Sequence, residues 1–291
     1  MTRYDALMAL AFPEIEQCYS ARDTILYALG VGAGSDPAGA TELALVYEEG
    51  LQVIPSMAVT LAYPGFWYRD LRPGLDYLRT VHASERFEIH RPLPVAATVV
   101  ARPAIVAIHD KGAGRGSLVV SRRQIIDRPS GALLATVTQT AFCRGDGGLG
   151  GPCLPPPAPQ PIPATDAPLR VNIPVSTRAA LIYRLSGDDN PLHVDPVFAR
   201  AAGFPAPILH GLCTYGHLCR YLMRVAGGAG QDIRMMECRF TGPVYPGDTL
   251  SVEVWPEPGR ALFRAKVANR RVIDHGICAF ADPKASPPAA S

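Results

Sequence analysis

Apolar and polar positions follow two different periods in the second half of this chain. From His210 to Ala226, the residues Leu212, Tyr215, Cys219, Leu222 and Met223 recur mostly at three- and four-residue steps. That spacing predicts a helix with a broad buried face. Four strand-like runs follow, at about 233–243, 248–256, 261–269 and 271–281, with Gly247-Asp248, Pro258-Gly259 and Asn269 as turn signals between them. Within these runs SVEVW and FRAKVA alternate apolar with polar residues, as half-buried antiparallel strands do. The first half has matching runs at about 86–91, 95–109, 116–127 and 132–144. Ahead of them, 51–80 carries proline or glycine at 55, 64, 65, 73 and 74, so a long helix there is interrupted.

The two halves echo one another. At a constant offset of 156, Ser20, Arg22, Tyr27 and Leu29 meet Ser176, Arg178, Tyr183 and Leu185. Further on, FEIHRPLP (87–94) echoes FTGPVYP (240–246), and TAF (140–142) echoes CAF (278–280). Several matches in the same order indicate duplication. The proline- and glycine-rich stretch at 147–168 separates the copies. The expected organisation is an N-terminal domain over 1–150, a linker over 151–168 and a C-terminal domain over 169–291. A helix followed by an antiparallel sheet, occurring twice, predicts an α+β fold in which each sheet curls around a helix.

Composition narrows the functional classes. With 48% hydrophobic and 19% charged residues, a chain of 291 residues can bury a sizeable core. A net charge of +2, with only small basic pairs such as Arg122-Arg123 and Arg270-Arg271, gives no support to a nucleic-acid partner. No run approaches the roughly 18 unbroken apolar residues that span a bilayer. The opening MTRYDALMALAFPEIEQ is not expected to act as a secretory leader, and the closing ASPPAAS forms no peroxisomal tripeptide. Seven cysteines, an odd count without Cys-x-x-Cys, suggest reduced thiols and a cytoplasmic location.

The densest polar constellation is YRLSGDDNPLHVDP, residues 183–196, which packs Asp188, Asp189, Asn190, His193 and Asp195 around a proline turn. His193 offers an acid or base near neutral pH, and Asp188, five residues earlier, is near enough to share a water with it. Ser-Gly-Asp-Asn material of this kind also makes good helix-capping turns, and that reading stands beside the catalytic one. The duplication bears on the choice. The first copy has Gly32 opposite Asp188 and Pro37 opposite His193, so only one copy holds the acid–base pair. A hard divalent ion is a third use for these carboxylates, but the spacing matches neither an EF-hand nor HExxH, and no metal is expected. Next, PAPILHGLCTYG (205–216) sets His210-Gly211 where the buried helix begins. The first N–H groups of a helix lack internal partners, and a glycine there lets a carbonyl oxygen approach. This suits stabilisation of a developing enolate oxygen, although a plain helix start with a buried glycine fits equally. His210 itself is expected to be structural.

Residues 183–199, YRLSGDDNPLHVDPVFA, resemble the signature of R-specific enoyl-CoA hydratases, also called hydratase 2 or MaoC-like dehydratases. Gly187 to His193 match its G-D-x-N-P-L-H core without a gap. FPEIEQCYSARDTILYALGVGAG, YPGFWYRDLRPGLDYLRTVHASERFEIHRPLP and CRFTGPVYPGDTL are similar to the two-domain form found in multifunctional β-oxidation enzymes. The resemblance implies a double hot-dog fold whose first domain has lost its long central helix and gives space to the acyl chain, and the interruptions at 51–80 predict a pocket there open to chains of about ten carbons or more. It further implies that Asp188 and His193 hold the reacting water, Asn190 orients the site, and the Gly211 N–H binds the thioester oxygen. Ligand contacts would fall on His82, Ala83, Lys111 and Phe240, with Ala83 standing where the family has glycine. In hydration His193 would take a proton from water as oxygen attacks C3, and Asp188 would deliver one to C2. No cofactor is implied beyond the coenzyme A that belongs to the substrate, and a homodimer is the expected assembly. An acyl-CoA thioesterase on the same fold and a non-catalytic acyl-CoA-binding protein are the alternatives. The complete acid–base turn argues against both.

Overall fold

A computed structural model describes residues 1–35, 40–152, 154–225 and 233–281 of the chain. The first half contributes strands β1 (Ile15–Tyr19), β2 (Thr80–Ile89), β3 (Ala97–Ala101), β4 (Ala104–Asp110), β5 (Ser117–Asp127) and β6 (Leu133–Cys143). The second half contributes β7 (Leu169–Pro174), β8 (Ile233–Phe240), β9 (Thr249–Glu257), β10 (Arg260–Val267) and β11 (Arg270–Phe280). All pair antiparallel in one sheet, in the order β1-β3-β5-β6-β2-β8-β11-β10-β9-β7, with β4 also on β5. Read from the two ends inward the order is the same in both halves: β1 answers β7, β3 answers β9, and β2 meets β8 at the seam. This is the double hot dog, and the duplicated segments fall on corresponding elements.

The matched copies also touch. Helix α1 (Arg3–Met8) opens the chain, followed by α2 (Ala21–Gly30) and the short α3 (Ala40–Leu43) and α4 (Trp67–Asp70). In the second half α5 (Ala179–Tyr183) corresponds to α2, and α6 (Pro196–Ala201) and α7 (Gly211–Val225) follow. Tyr27 and Tyr183, paired by the 156-residue offset, bring their rings within 6.0 Å. At Gly30 an added Cβ would sit 3.1 Å from the Tyr183 Cα, so glycine lets the two helices approach closely.

Helix α7 is the buried centre of the second half. Cys213, Tyr215, Leu218, Cys219 and Leu222 are fully enclosed on it, each large apolar side chain contributing roughly 1.5–3 kcal/mol of burial. The expected end at Ala226 lies outside the described residues, as does Pro37 of the repeat comparison. Glu42, 2% exposed, reaches α7 from the first domain and binds Arg220 at 2.5 Å as well as Arg224.

In the first half the place of that helix is taken by short pieces. A 3₁₀ turn at Pro55–Val59, α4, and a second turn at Tyr77–Arg79 occupy the interrupted segment. The buried Arg123 guanidinium braces the first of these by donating to the carbonyls of Val59 (2.5 Å) and Leu61 (3.3 Å). The segment does not leave the open acyl chamber expected of it. Ile54, Met57, Ala58, Val59, Leu61 and Ala62 are all 3% exposed or less, and fill the interior with their own side chains. Two modest clefts flank it, of about 200 Å³ beside Leu51, Pro55, Ile89 and Leu93, and about 150 Å³ beside Tyr27, Met57, Thr60 and Gly187.

Two further departures have simple causes. The run expected at 95–109 is two strands, because Arg102-Pro103 interrupts it and proline cannot donate to a ladder. Strands β1 and β7 were not expected at all. They are edge strands that mix polar with apolar residues, Glu16-Gln17 breaking the apolar alternation in β1 and Pro174 ending β7. The linker runs along the strands of the second half, where His275 Nδ1 donates to the Gln160 carbonyl at 2.7 Å and Trp255 Nε1 donates to the Thr165 carbonyl at 3.3 Å.

Candidate active site

The polar turn begins where a short 3₁₀ piece, Arg184–Ser186, ends on Gly187 at φ +112°, a left-handed conformation that favours glycine. Beyond it the constellation divides in two. Asn190 Oδ1 accepts from the Leu192 N–H at 3.1 Å and caps the turn Pro191–His193, while Asp195 Oδ1 accepts from Val197 at 2.7 Å and caps α6. Asp189 is exposed. These residues therefore do the capping work considered from the sequence. Asp188, whose Oδ1 also accepts from the Asn190 N–H at 3.3 Å, and His193 converge with His210. One ligating atom from each of the three lies within 4.8 Å of the others, and theirs is the one group among the described residues arranged so that a metal ion could be held.

The two histidines differ in what their ring nitrogens touch. His193, 9% exposed, places Nδ1 at 2.9 Å from the Ile208 carbonyl, so Nδ1–H donates and Nε2 keeps its lone pair. Burial lowers its pKa, partly offset by the negative charge of Asp188. His210 lies against it with ring centroids 3.8 Å apart and points Nε2 at the Asp188 carbonyl, 3.2 Å away. Burial and the neighbouring His193 push the pKa of His210 down to about 2. A ring that stays neutral and holds the backbone of Asp188 acts as a buttress rather than a base, in line with the structural part expected of it.

His210 is also where α7 begins. Its carbonyl accepts from Cys213 and Thr214, both at 3.1 Å, so the N–H groups of Gly211 and Leu212 precede the first helical hydrogen bond. A Cβ at Gly211 would lie 3.2 Å from two carbons of the Phe240 ring. Phe240 in turn packs on His82, ring centroids 4.6 Å apart. The residues thought to contact ligand on both sides of the seam are thus neighbours of the oxyanion candidate. Ala83 is the residue passed over in the β2–β6 register between His82 and Ser84, a bulge that leaves it unpaired. It is not among the residues with positive φ, which explains why alanine is tolerated where the family has glycine. Lys111 sits on the β4–β5 loop with Nζ 4.1 Å from the Phe142 ring centre. Phe142 pairs with Val81, one residue from His82.

Several residues of this wall escaped the sequence reading. Glu85, 1% exposed, binds His82 Nε2 at 2.8 Å. Gln139 pairs across the strand with Glu85 and approaches the His82 ring at 3.4 Å. Tyr63 is half-buried, and its pKa is raised first by desolvation and next by the charge of Asp188. Tyr183 packs its ring 5.0 Å from His210. Only Tyr183 carried a signal, its place in the repeat.

The same pattern is found in known proteins. Residues 160–277 match the MaoC-like domain, and residues 18–145 match the N-terminal domain of MFE-2 hydratase 2. The chain belongs to the MaoC-like dehydratase family. Among its relatives, 3-hydroxyacyl-thioester dehydratase Y of Mycobacterium tuberculosis is 42% identical over 269 residues, spanning 89% of this chain and 92% of the relative. The peroxisomal enoyl-CoA hydratase 2 of Arabidopsis thaliana is 35% identical, with 91% of each chain covered. The crystal structure of a MaoC-like dehydratase from Phytophthora capsici superposes with a TM-score of 0.84 at 29% identity, covering 96% of this chain and 98% of that one. Both halves of this MaoC-like chain are therefore accounted for.

Proposed function

We propose that this chain hydrates trans-2-enoyl-CoA reversibly to (3R)-3-hydroxyacyl-CoA in acyl-CoA metabolism. The observation that supports the reading best is the convergence of Asp188 and His193 beside the N-terminus of α7. A water held between the Asp188 carboxylate and the His193 lone pair gives its proton to His193 as its oxygen bonds to C3. Electron density moves through C2 to the thioester oxygen, where the Gly211 N–H is placed to receive it. Asp188 takes over the proton that His193 received from the water and delivers it to C2, so both groups return to their starting states and the net change is addition of one water. Each proton transfer contributes on the order of 100- to 10,000-fold, and a single oxyanion donor a similar factor. This reading uses Asp188, His193 and Gly211 without a metal or redox cofactor.

Asn190 shapes the turn that aims His193. His82, Ala83, Lys111 and Phe240 form the wall along which the coenzyme A arm is proposed to run. The cleft reaching Gly187 is assigned to the acyl chain. At about 150 Å³ it lies below the roughly 300–1,000 Å³ of ordinary ligand sites, so long chains require the 54–62 segment to yield. No described helix is long and apolar enough to cross a membrane, and the described cysteines are all unpaired. A cytoplasmic homodimer is part of the proposal.

The decisive test is stereochemical. Groups held on one short turn meet one face of a flat enoyl thioester, so water and proton should add to the same side. Incubation with crotonyl-CoA should bleach the conjugated absorbance without added metal or nicotinamide and without release of free CoA. The product should be oxidised by an R-specific hydroxyacyl-CoA dehydrogenase and ignored by an S-specific one. Release of free thiol would make the protein a thioesterase, and absence of turnover would leave a binding protein.

A further inference from the structure

Glu85 is a carboxylate on the wrong side of its strand. Along β2 the enclosed positions are Glu85, Phe87 and Ile89, and the latter two are core residues. A charge facing a core is costly unless it is partnered, so its partners show what its placement achieves. Glu85 Oε2 takes His82 Nε2 at 2.8 Å. Gln139, directly across on β6, comes within 3.5 Å of both His82 ring nitrogens. Arg123, buried on the neighbouring β5, feels the Glu85 charge as its chief support against desolvation.

The consequence runs through His82. Its imidazole is fixed by Glu85 from behind, and its ring lies 4.6 Å from that of Phe240. Phe240 fills the space where a Gly211 side chain would be, 3.2 Å from the Cβ position. Glu85 and His82 belong to the first domain, Phe240 and Gly211 to the second, and the contact crosses the β2–β8 seam where Ser84 pairs with Arg239.

We propose that Glu85 is a positioning residue of the reaction: through His82 and Phe240 it sets the wall against which the thioester carbonyl meets the Gly211 N–H. This deepens the hydratase reading and rests on it. It makes the first domain, which lacks an acid–base pair, a working part of the oxyanion site. The ionic partner matters because His82 must hold one ring orientation while a ligand slides past it. Pre-organised dipoles lose their effect when they are free to turn.

The test measures carbonyl polarisation directly. Cinnamoyl-CoA, a conjugated enoyl thioester, should shift its absorbance to longer wavelength when bound to the native protein, as electron density is drawn to the thioester oxygen. Glu85→Gln should lose at least half of that shift and lower kcat at least about tenfold, while binding of butyryl-CoA stays within twofold. His82→Gln keeps a partner for Glu85 but removes the ring on Phe240, and should give the same two losses. The double variant should be no worse than the poorer single one, because both act along one path. A native shift and kcat in Glu85→Gln, or a lower melting temperature with native turnover per folded molecule, would overturn the proposal. A native protein that binds cinnamoyl-CoA with no shift would instead sink the oxyanion assignment of Gly211.

Discussion

The His193 nitrogen that donates to Ile208 leaves the opposite nitrogen with a lone pair, in a ring that lies close to Asp188, and this division of labour within one ring is what the proposed chemistry needs. Asp188→Asn and His193→Gln are each expected to lower turnover by at least about 100-fold. Melting temperature should fall only slightly, because the caps of Pro191–His193 and α6 come from Asn190 and Asp195, the Asn190 N–H reaches Asp188 Oδ1 only at 3.3 Å, and an amide can still accept that bond or donate to the Ile208 carbonyl. Steady-state kinetics beside thermal melts checks this, and a near-native rate in either variant removes that residue from the mechanism. The pH dependence has a definite sign. The base works unprotonated, and burial lowers the pKa of His193 below its ordinary value. The rate should therefore stay level through pH 6.5 and fall only at lower pH. At this scale the sequence was readable because the chemistry-bearing types sat together in 183–196. Glu85, Tyr63 and Gln139 were not readable, since a lone acid, phenol or amide in a strand or loop looks like any surface residue until the neighbouring strands enclose it.

Helix α7 begins at Gly211, the proposed oxyanion donor, and its fit against β8 is tight there. Gly211→Ala would push a methyl to 3.2 Å from the Phe240 ring while leaving the N–H in place. The ring must give way, and the wall that it forms moves with it. The expected result is a fall in kcat of about tenfold or more with the fold retained, checked by kinetics together with the cinnamoyl-CoA spectrum. Strength of pattern decided which elements could be foreseen. The α7 stripe and strands β8 to β11 came out within a few residues, because a half-buried face leaves its period in the sequence. The first-half segment at 51–80 was correctly read as interrupted from its prolines and glycines, yet whether it left a chamber or filled one depended on packing. Side chains of Ile54, Met57 and Leu61 closed the space.

The whole molecule carries a cost that grows on acidification. His217, enclosed in α7, has its pKa lowered to about 4 by burial, and His210 is lowered further, to about 2. In the unfolded chain both take up protons near pH 6.5. Between that value and about 4 for His217, or about 2 for His210, the unfolded state binds more protons than the folded state. Stability is thus full above pH 6.5 and falls as pH drops through this window. Melting temperature should decline steadily from pH 6.5 to 4.5, and His217→Asn should flatten part of that slope. If the slope were the same in the variant, His217 would not be its source.

Two domains in one chain also explain what each level of description could settle. The sequence by itself determined the duplication, helix α7, strands β8 to β11 and the polar turn at 183–196, because these depend on periodicity and on residues adjacent in the chain. Only the tertiary structure decided that Tyr27 meets Tyr183, that His210 buttresses His193 from 17 residues away, and that Glu85 and His82 stand behind Gly211. Those relations depend on which strand lies beside which, and β2 meets β8 across about 150 residues of intervening chain. Burial then gives ordinary side chains their particular roles, by removing the water that would otherwise have satisfied them.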